Sequence, residues 1–171
     1  MIDIEIDKLT NSIEERLTGK TFDTLVKRAR RTGIKGIGAN WNFDWLGELA
    51  SWEVYSLTVP DLGRDIQGLM SLERREDHVY VNLLESHPQN VGRGKVFEGV
   101  AGNLMAFACK LSLELGHAGC VAFEAKTELI EHYREKFGAQ RIGRSQMMFI
   151  EDEPAAVLIQ QYFGDQHGTH S

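Results

Sequence analysis

GRGKVFEGVAGNLMAFACKLSLELG, residues 92–116, is the stretch that decides how the rest of the chain is arranged. It opens with glycine at 92, 94, 99 and 102 and closes as an apolar helix, with Val100, Leu104, Ala108, Leu111 and Leu115 at spacings of three and four. A glycine turn that opens a helix leaves backbone N–H groups converging on one point at the positive end of the helix dipole, so an anion such as phosphate is their natural occupant. The run Val79-Tyr-Val-Asn-Leu-Leu-Glu85 reads as the strand that feeds this turn.

Upstream, Glu53–Val59, Asp65–Arg74 and Val79–Glu85 read as an antiparallel meander, with Pro60 and Asp61 ending its first strand. Downstream, Gly119–Ala125 reads as a strand, Thr127–Lys136 as a helix broken at Gly138, and Arg141–Ile150 as a further strand. A last helix starts at Asp152 and Pro154 and runs to about Phe163. Residues 164–171 read as a disordered polar tail. Near the N-terminus, residues 2–6 alternate like a strand, and Thr10–Leu17, with Ser12 three residues ahead of Glu15, reads as a short capped helix. Phe22–Arg30 is ambiguous between strand and helix, and Thr32–Asn40 reads as a loop. Trp41, Phe43 and Trp45 form an aromatic cluster that suits a core or one wall of a cleft.

At 171 residues the chain is long enough for one domain burying about 70% of its unfolded surface. Strands first, then alternating helix and strand, give an α+β class with a mixed sheet. No apolar run approaches the length of a membrane span, and the acidic start is unlike a signal peptide. Cys109 and Cys120 read as buried thiols of a cytoplasmic protein. A net charge of −6 and a pI near 5.5 make nucleic acid an unlikely partner, the cluster Lys27-Arg-Ala-Arg-Arg31 being the local exception. Gly94-Lys95 is followed by valine, which excludes a Walker loop, and no zinc-like Cys/His spacing occurs.

With these residues in place, Ile66–Ile150 resembles the GNAT superfamily of acyl-CoA-dependent N-acetyltransferases. That family has a Q/R-x-x-G-x-G/A turn opening its central helix, then a strand, then a helix with a tyrosine near its end; here that end is Tyr133-Arg-Glu-Lys-Phe-Gly-Ala139. Gln89-Asn-Val-Gly-Arg-Gly94 matches the turn letter for letter. Val96–Ala101 fails at its first position but lets the helix start at Gly99, which keeps Gly99 out of the helix interior, where glycine costs about 1 kcal/mol. The second register is preferred. The resemblance implies one GNAT-like domain over residues 1–163: a divergent part at 1–50, a cofactor-binding core at 51–150 and a C-terminal helix at 151–163. Its fold would be a central, mostly antiparallel twisted sheet of about six or seven strands with about four flanking helices. The strands would splay at the cofactor site.

It further implies acetyl-CoA as acyl donor, no metal, and acetyl transfer to a primary amine of a small molecule, peptide or protein. Alternatives are a non-catalytic acyl-CoA-binding or protein-interaction module and a tRNA-directed acetyltransferase toxin. The residues carried over as cofactor-binding are Leu84, Glu85, Ser86, Phe97, Glu98, Gly99, Val100, Ala101, Gly102 and Lys126. Lys126 stands where many members carry asparagine, and Arg93 or Lys95 could reach a phosphate. Tyr133 is the expected acid for the departing thiolate; packing of its ring is the alternative. Glu85 is the first candidate base and His87 the second, while Glu124 is placed to bind the acceptor amine and His132 is expected to be exposed. Val157, Leu158, Tyr162 and Phe163 could cover the sheet or a homodimer partner.

Overall fold

The computed structural model describes residues 1–7, 12–38 and 40–168, the last four as backbone. In chain order the elements are β1 (Ile13–Glu15), β2 (Thr21–Phe22), β3 (Leu25–Arg28), α1 (Arg31–Lys35), α2 (Trp45–Ser51), β4 (Glu53–Thr58), β5 (Ile66–Arg74) and β6 (Val79–Ser86). They continue with β7 (Phe97–Glu98), α3 (Val100–Glu114), β8 (Val121–Glu124), α4 (Ile130–Phe137), β9 (Gln140–Arg141), β10 (Met147–Ile150) and α5 (Asp152–Gly168). A seven-stranded sheet runs β3-β4-β5-β6-β8-β10-β9, antiparallel at every neighbour except β6–β8, which is parallel. A small sheet, β2-β1-β7, stands apart from it. The α+β class, the mostly antiparallel sheet and its strand number are as the sequence predicts; there are five α-helices among the described residues against an expectation of about four.

The start of α3 follows helix physics and not the literal motif. Gly99 caps the helix in a left-handed conformation, φ 97°, which an L side chain rarely adopts, and Val100 is the first helical residue. Its inner face (Val100, Ala101, Leu104, Met105, Ala108) is buried on the sheet with Met70, Leu72 and Val81. The helix passes close over Gly68 of β5, where a Cβ would stand 2.6 Å from Val100 Cγ1 and 2.9 Å from Leu104 Cδ1. The helix α5 packs on the other side of α3 through Ala155, Leu158 and Tyr162, which are buried, while Val157 is exposed. The apolar face of the last helix is therefore covered largely within the chain.

The first 50 residues depart most from expectation. Ile13–Glu15 is the central strand of the small sheet and not part of a helix: β1 pairs with β2 on one side and β7 on the other, burying Ile13, and tertiary pairing overrides the local cap signal. Residues 10 and 11 of that predicted helix lie outside the described residues, as do 169–171 of the tail. Residues 32–35, expected in a loop, fall in α1. The predicted strand 141–150 is a hairpin, β9 and β10, and residues 164–168 continue α5.

The geometry that matters for a site is the fork between β6 and β8. They pair only at Val79↔Val121, Tyr80↔Ala122 and Val81↔Phe123, although β6 runs on to Ser86. On its other edge Val81 faces Leu72 while Leu83 faces Ser71, so Asn82 is an inserted residue in β6. A bulge bends the strand that carries it. The bend falls where β6 leaves β8, and burial along β6 loses its alternation there as well.

Candidate functional site

Into the fork runs the N-terminal segment. Ile2 bridges Ala125 in parallel; its N–H donates to Glu124 O at 2.7 Å and its C=O accepts from Lys126 N at 2.9 Å. Ile2 and Ile6 are buried in the main core, each contributing about 1.5–3 kcal/mol of apolar burial. Ile4 O accepts from the Tyr133 hydroxyl at 2.6 Å, and Ile6 N donates to His132 Nε2 at 2.7 Å. The segment ends at the N-terminus of α3, where Asp7 Oδ1 accepts from Gly99 N at 3.0 Å and Asp7 Oδ2 pairs with Lys95 Nζ at 3.1 Å.

Beside this segment lies a cleft of about 800 Å³. Leu84, Glu85 and Ser86 of β6 form one wall, Val100 and Ala101 of α3 its end, Asn42 and Phe43 a rim, and Lys126 with Leu129 the far side. Six of the expected cofactor residues therefore meet at one place. The other four do not border it. Phe97 is buried edge-on against Phe22 and its amide donates to Asn90 Oδ1, Glu98 pairs with Glu14 across β7–β1, Gly99 N is taken by Asp7, and Gly102 lies on the buried face of α3. Phe97 and Glu98, expected in a turn, are a strand, and their backbone is used by the small sheet. The loop with the literal motif is tied down at its start, both Gln89 Nε2 and Asn90 Nδ2 donating to Gln67 Oε1.

The titratable candidates fall in three different settings. Tyr133 has no exposed surface; its ring stacks on Phe137 and meets Phe123 edge-on. Burial first, then the carboxylates of Asp3 and Glu5, push its pKa well above the ordinary phenol value, so the hydroxyl keeps its proton. Glu85 is buried, and its two oxygens accept from Asn42 N (2.6 Å), Phe43 N (3.2 Å) and Trp45 Nε1 (2.9 Å). Those donors stabilise a carboxylate and fasten the start of α2 to β6. His87 turns away from the cleft against Trp41, its Nδ1 accepting from Gln89 N. His132, expected to be exposed, is half-buried because its ring receives the Ile6 amide. The aromatic cluster splits: Trp45 is core, Phe43 edges the cleft and Trp41 packs on His87.

Two features escape the sequence. Asp7 sits far from the turn in the chain, and nothing local marks it. Asn82 reads as an ordinary outward residue of a strand. Ser86, which the sequence does place at the cofactor site, has its Oγ buried at the cleft with no hydrogen-bond partner among the described residues. No group of three or more metal-binding side chains occurs among the described residues, and no helix there is long and apolar enough to cross a membrane.

Solved structures share this architecture. A KacTA–DNA complex superposes with a TM-score of 0.57 at 15% identity, over 81% of this chain and 99% of that one. A mutant AtaT toxin bound to acetyl-CoA and the C-terminus of the antitoxin AtaR gives 0.53 at 17% identity, over 81% and 99%. The chain has the GNAT fold. A third match of the same fold, a bacterial toxin, gives 0.56 at 10% identity over 81% of this chain and 96% of that one. No protein-family model and no curated protein matches the sequence. The first of these structures is a complex with DNA, so the expectation that nucleic acid is an unlikely partner is not supported.

Proposed function

We propose that the cleft is an acyl-CoA donor site and that the chain is an N-acetyltransferase that transfers an acetyl group from acetyl-CoA to a primary amine by direct attack. The observation that carries this is the fork at Asn82, where β6 leaves β8 and opens one side of its backbone to the cleft that the N-terminus of α3 closes. The orphan Ser86 hydroxyl fits such a site, since a buried polar group without a partner is costly unless a ligand completes it. When bound, acetyl-CoA supplies an acyl carbon activated as a thioester.

The chain's own groups have separable tasks. The amides that begin α3 at the cleft, Val100 and Ala101, are among the helix's orphan donors and suit the pyrophosphate; Lys126 adds a positive charge on the far side. Backbone groups of Leu84–Ser86 hold the pantetheine arm and polarise the acyl carbonyl. Tyr133, kept protonated by burial, returns a proton to the sulfur as the C–S bond breaks, and recovers one from the amine nitrogen that has bonded to the acyl carbon. Glu85 acts as a positioning residue, since both oxygens are engaged in holding the Asn42–Trp45 rim.

Release of free thiol from acetyl-CoA, followed over a panel of polyamines, peptide N-termini, lysine side chains and aminoacyl-tRNA, tests the proposal. Turnover with one class is the expected result. CoA binding with no turnover on any acceptor would leave a binding module and refute the enzyme.

One observation favours a second reading, an acceptor carried on RNA, as in the tRNA-directed toxin alternative. Lys27, Arg30 and Arg31 line the β3 edge and the start of α1 with at least part of each side chain open to solvent, whereas Arg28 is paired with Glu53 at 2.9 Å. Toxins are among the proteins that share the fold. Neutralising Lys27, Arg30 and Arg31 should then flatten the dependence of log affinity for tRNA on log salt by about 0.7–0.9 for each phosphate that is no longer neutralised. An unchanged slope refutes it.

A further inference from the structure

The N-terminal segment makes contacts that a donor needs. It lies in the fork, its Ile4 carbonyl holds the Tyr133 hydroxyl at 2.6 Å, and its Asp7 carboxylate occupies the N-terminus of α3 on Gly99 N. It is extended and runs from the root of the fork to the helix, as an arm joining a thioester to a pyrophosphate would. Two anions cannot share one helix N-terminus without mutual repulsion, and Asp3 and Glu5 add carboxylates along the same wall. The phenol likewise cannot give its hydrogen bond to Ile4 O and to a leaving sulfur at once.

We propose that residues 2–7 are a built-in competitor of the donor: an acidic segment that fills the fork side of the acyl-CoA seat in the resting protein and must leave it before acyl-CoA can bind. This rests on the donor-site reading above. Apparent donor affinity is then the intrinsic affinity reduced by the fraction of molecules with the segment out. Whatever holds the segment out, whether high donor concentration or a partner that captures the acidic segment, raises activity, and the device is an autoinhibitory contact. The segment's grip is divided between apolar anchors (Ile2, Ile6) and a polar one (Asp7), so the polar one can be weakened without emptying the core.

The test uses the full chain and CoA itself, with calorimetric titration and hydrogen–deuterium exchange on the wild type and Asp7→Asn. Asp7→Asn removes the charge from the helix N-terminus and from Lys95, and is expected to bind CoA about tenfold tighter. Saturating CoA is expected to speed exchange at the amides of Ile2 and Ile6, which are hydrogen-bonded at rest to Glu124 O and His132 Nε2. Equal CoA affinity in both proteins, with the Ile2 and Ile6 amides still protected, overturns the competitor and leaves the donor site standing, with the segment as a fixed wall. Tighter binding with those amides still protected reduces the effect to charge and also overturns displacement. No CoA binding by either protein at millimolar concentration overturns the donor-site reading, and the competitor with it.

Discussion

Tyr133 and Glu85 both read from the sequence as catalytic, and their surroundings divide them. A phenol with no exposed surface, packed against Phe123 and Phe137 and with its pKa raised, keeps its proton and is held in one orientation, as the proposed acid role requires. Tyr133→Phe keeps the ring packing and removes only the hydroxyl. Turnover is expected to fall by about 100-fold, the lower end of what a positioned general acid supplies, with the Kd for CoA lowered or unchanged. Steady-state kinetics with calorimetry checks this; equal turnover refutes the acid role. Glu85→Gln should act on stability instead. Three donors converge on two oxygens, and an amide nitrogen at either position faces an N–H group. A loss of about 1.5–3 kcal/mol is expected in urea unfolding, where hydrogen bonds to a charged group are involved. Turnover retained in the folded fraction would mark Glu85 as a positioning residue; abolished turnover with unchanged stability would restore it as the base.

Between elements, the decisive contact is α3 on β5 at Gly68. A methyl group there would press on Val100 Cγ1 at 2.6 Å, and a helix anchored along its whole inner face cannot lift locally to make room. Gly68→Ala is therefore expected to destabilise the fold by about 1–3 kcal/mol. Adding Val100→Ala should recover part of that loss, a coupling that a double-mutant cycle of unfolding free energies measures. Additive losses would mean that α3 is not set by this contact. The helix start at Gly99 is legible in the sequence because the signals there are local: a glycine suited to positive φ, then apolar residues at helical spacing. What lies against that helix start is not legible. Gly99 meets Asp7 from 92 residues away, and no period or cap records such a pairing. The predicted helix at 10–17 fails for the same reason, since β1 exists only because β2 and β7 flank it.

Across the molecule, the larger part from Glu53 onward is mostly legible in the sequence and the 52 residues before it are not. The former is built mainly from long strands and helices, each carrying its own periodicity; the latter from short paired strands, two short helices and one extended segment held by non-local bonds. The core that results buries two groups whose protons the fold retains. Cys109, inside α3, has its pKa pushed up by burial and then by Cys120, and Tyr133 by burial and then by Asp3 and Glu5. For both, the folded pKa lies above the unfolded value, so the folded chain binds more protons once the pH passes about 8.5 for a free thiol and about 10 for a free phenol. Their contribution to stability is complete below those values and is lost as pH rises through and beyond them. The thermal midpoint is thus expected to fall as pH is raised from 8 to 10.5, with Cys109 contributing at most about 1.4 kcal/mol per pH unit. Scanning calorimetry on the wild type, Cys109→Ala and Tyr133→Phe separates the two groups. Cys109→Ala should flatten the decline from its lower end, and Tyr133→Phe only above about pH 10. A decline of identical steepness in all three proteins would mean that neither proton is retained by the fold and that the alkaline limit lies elsewhere in the chain.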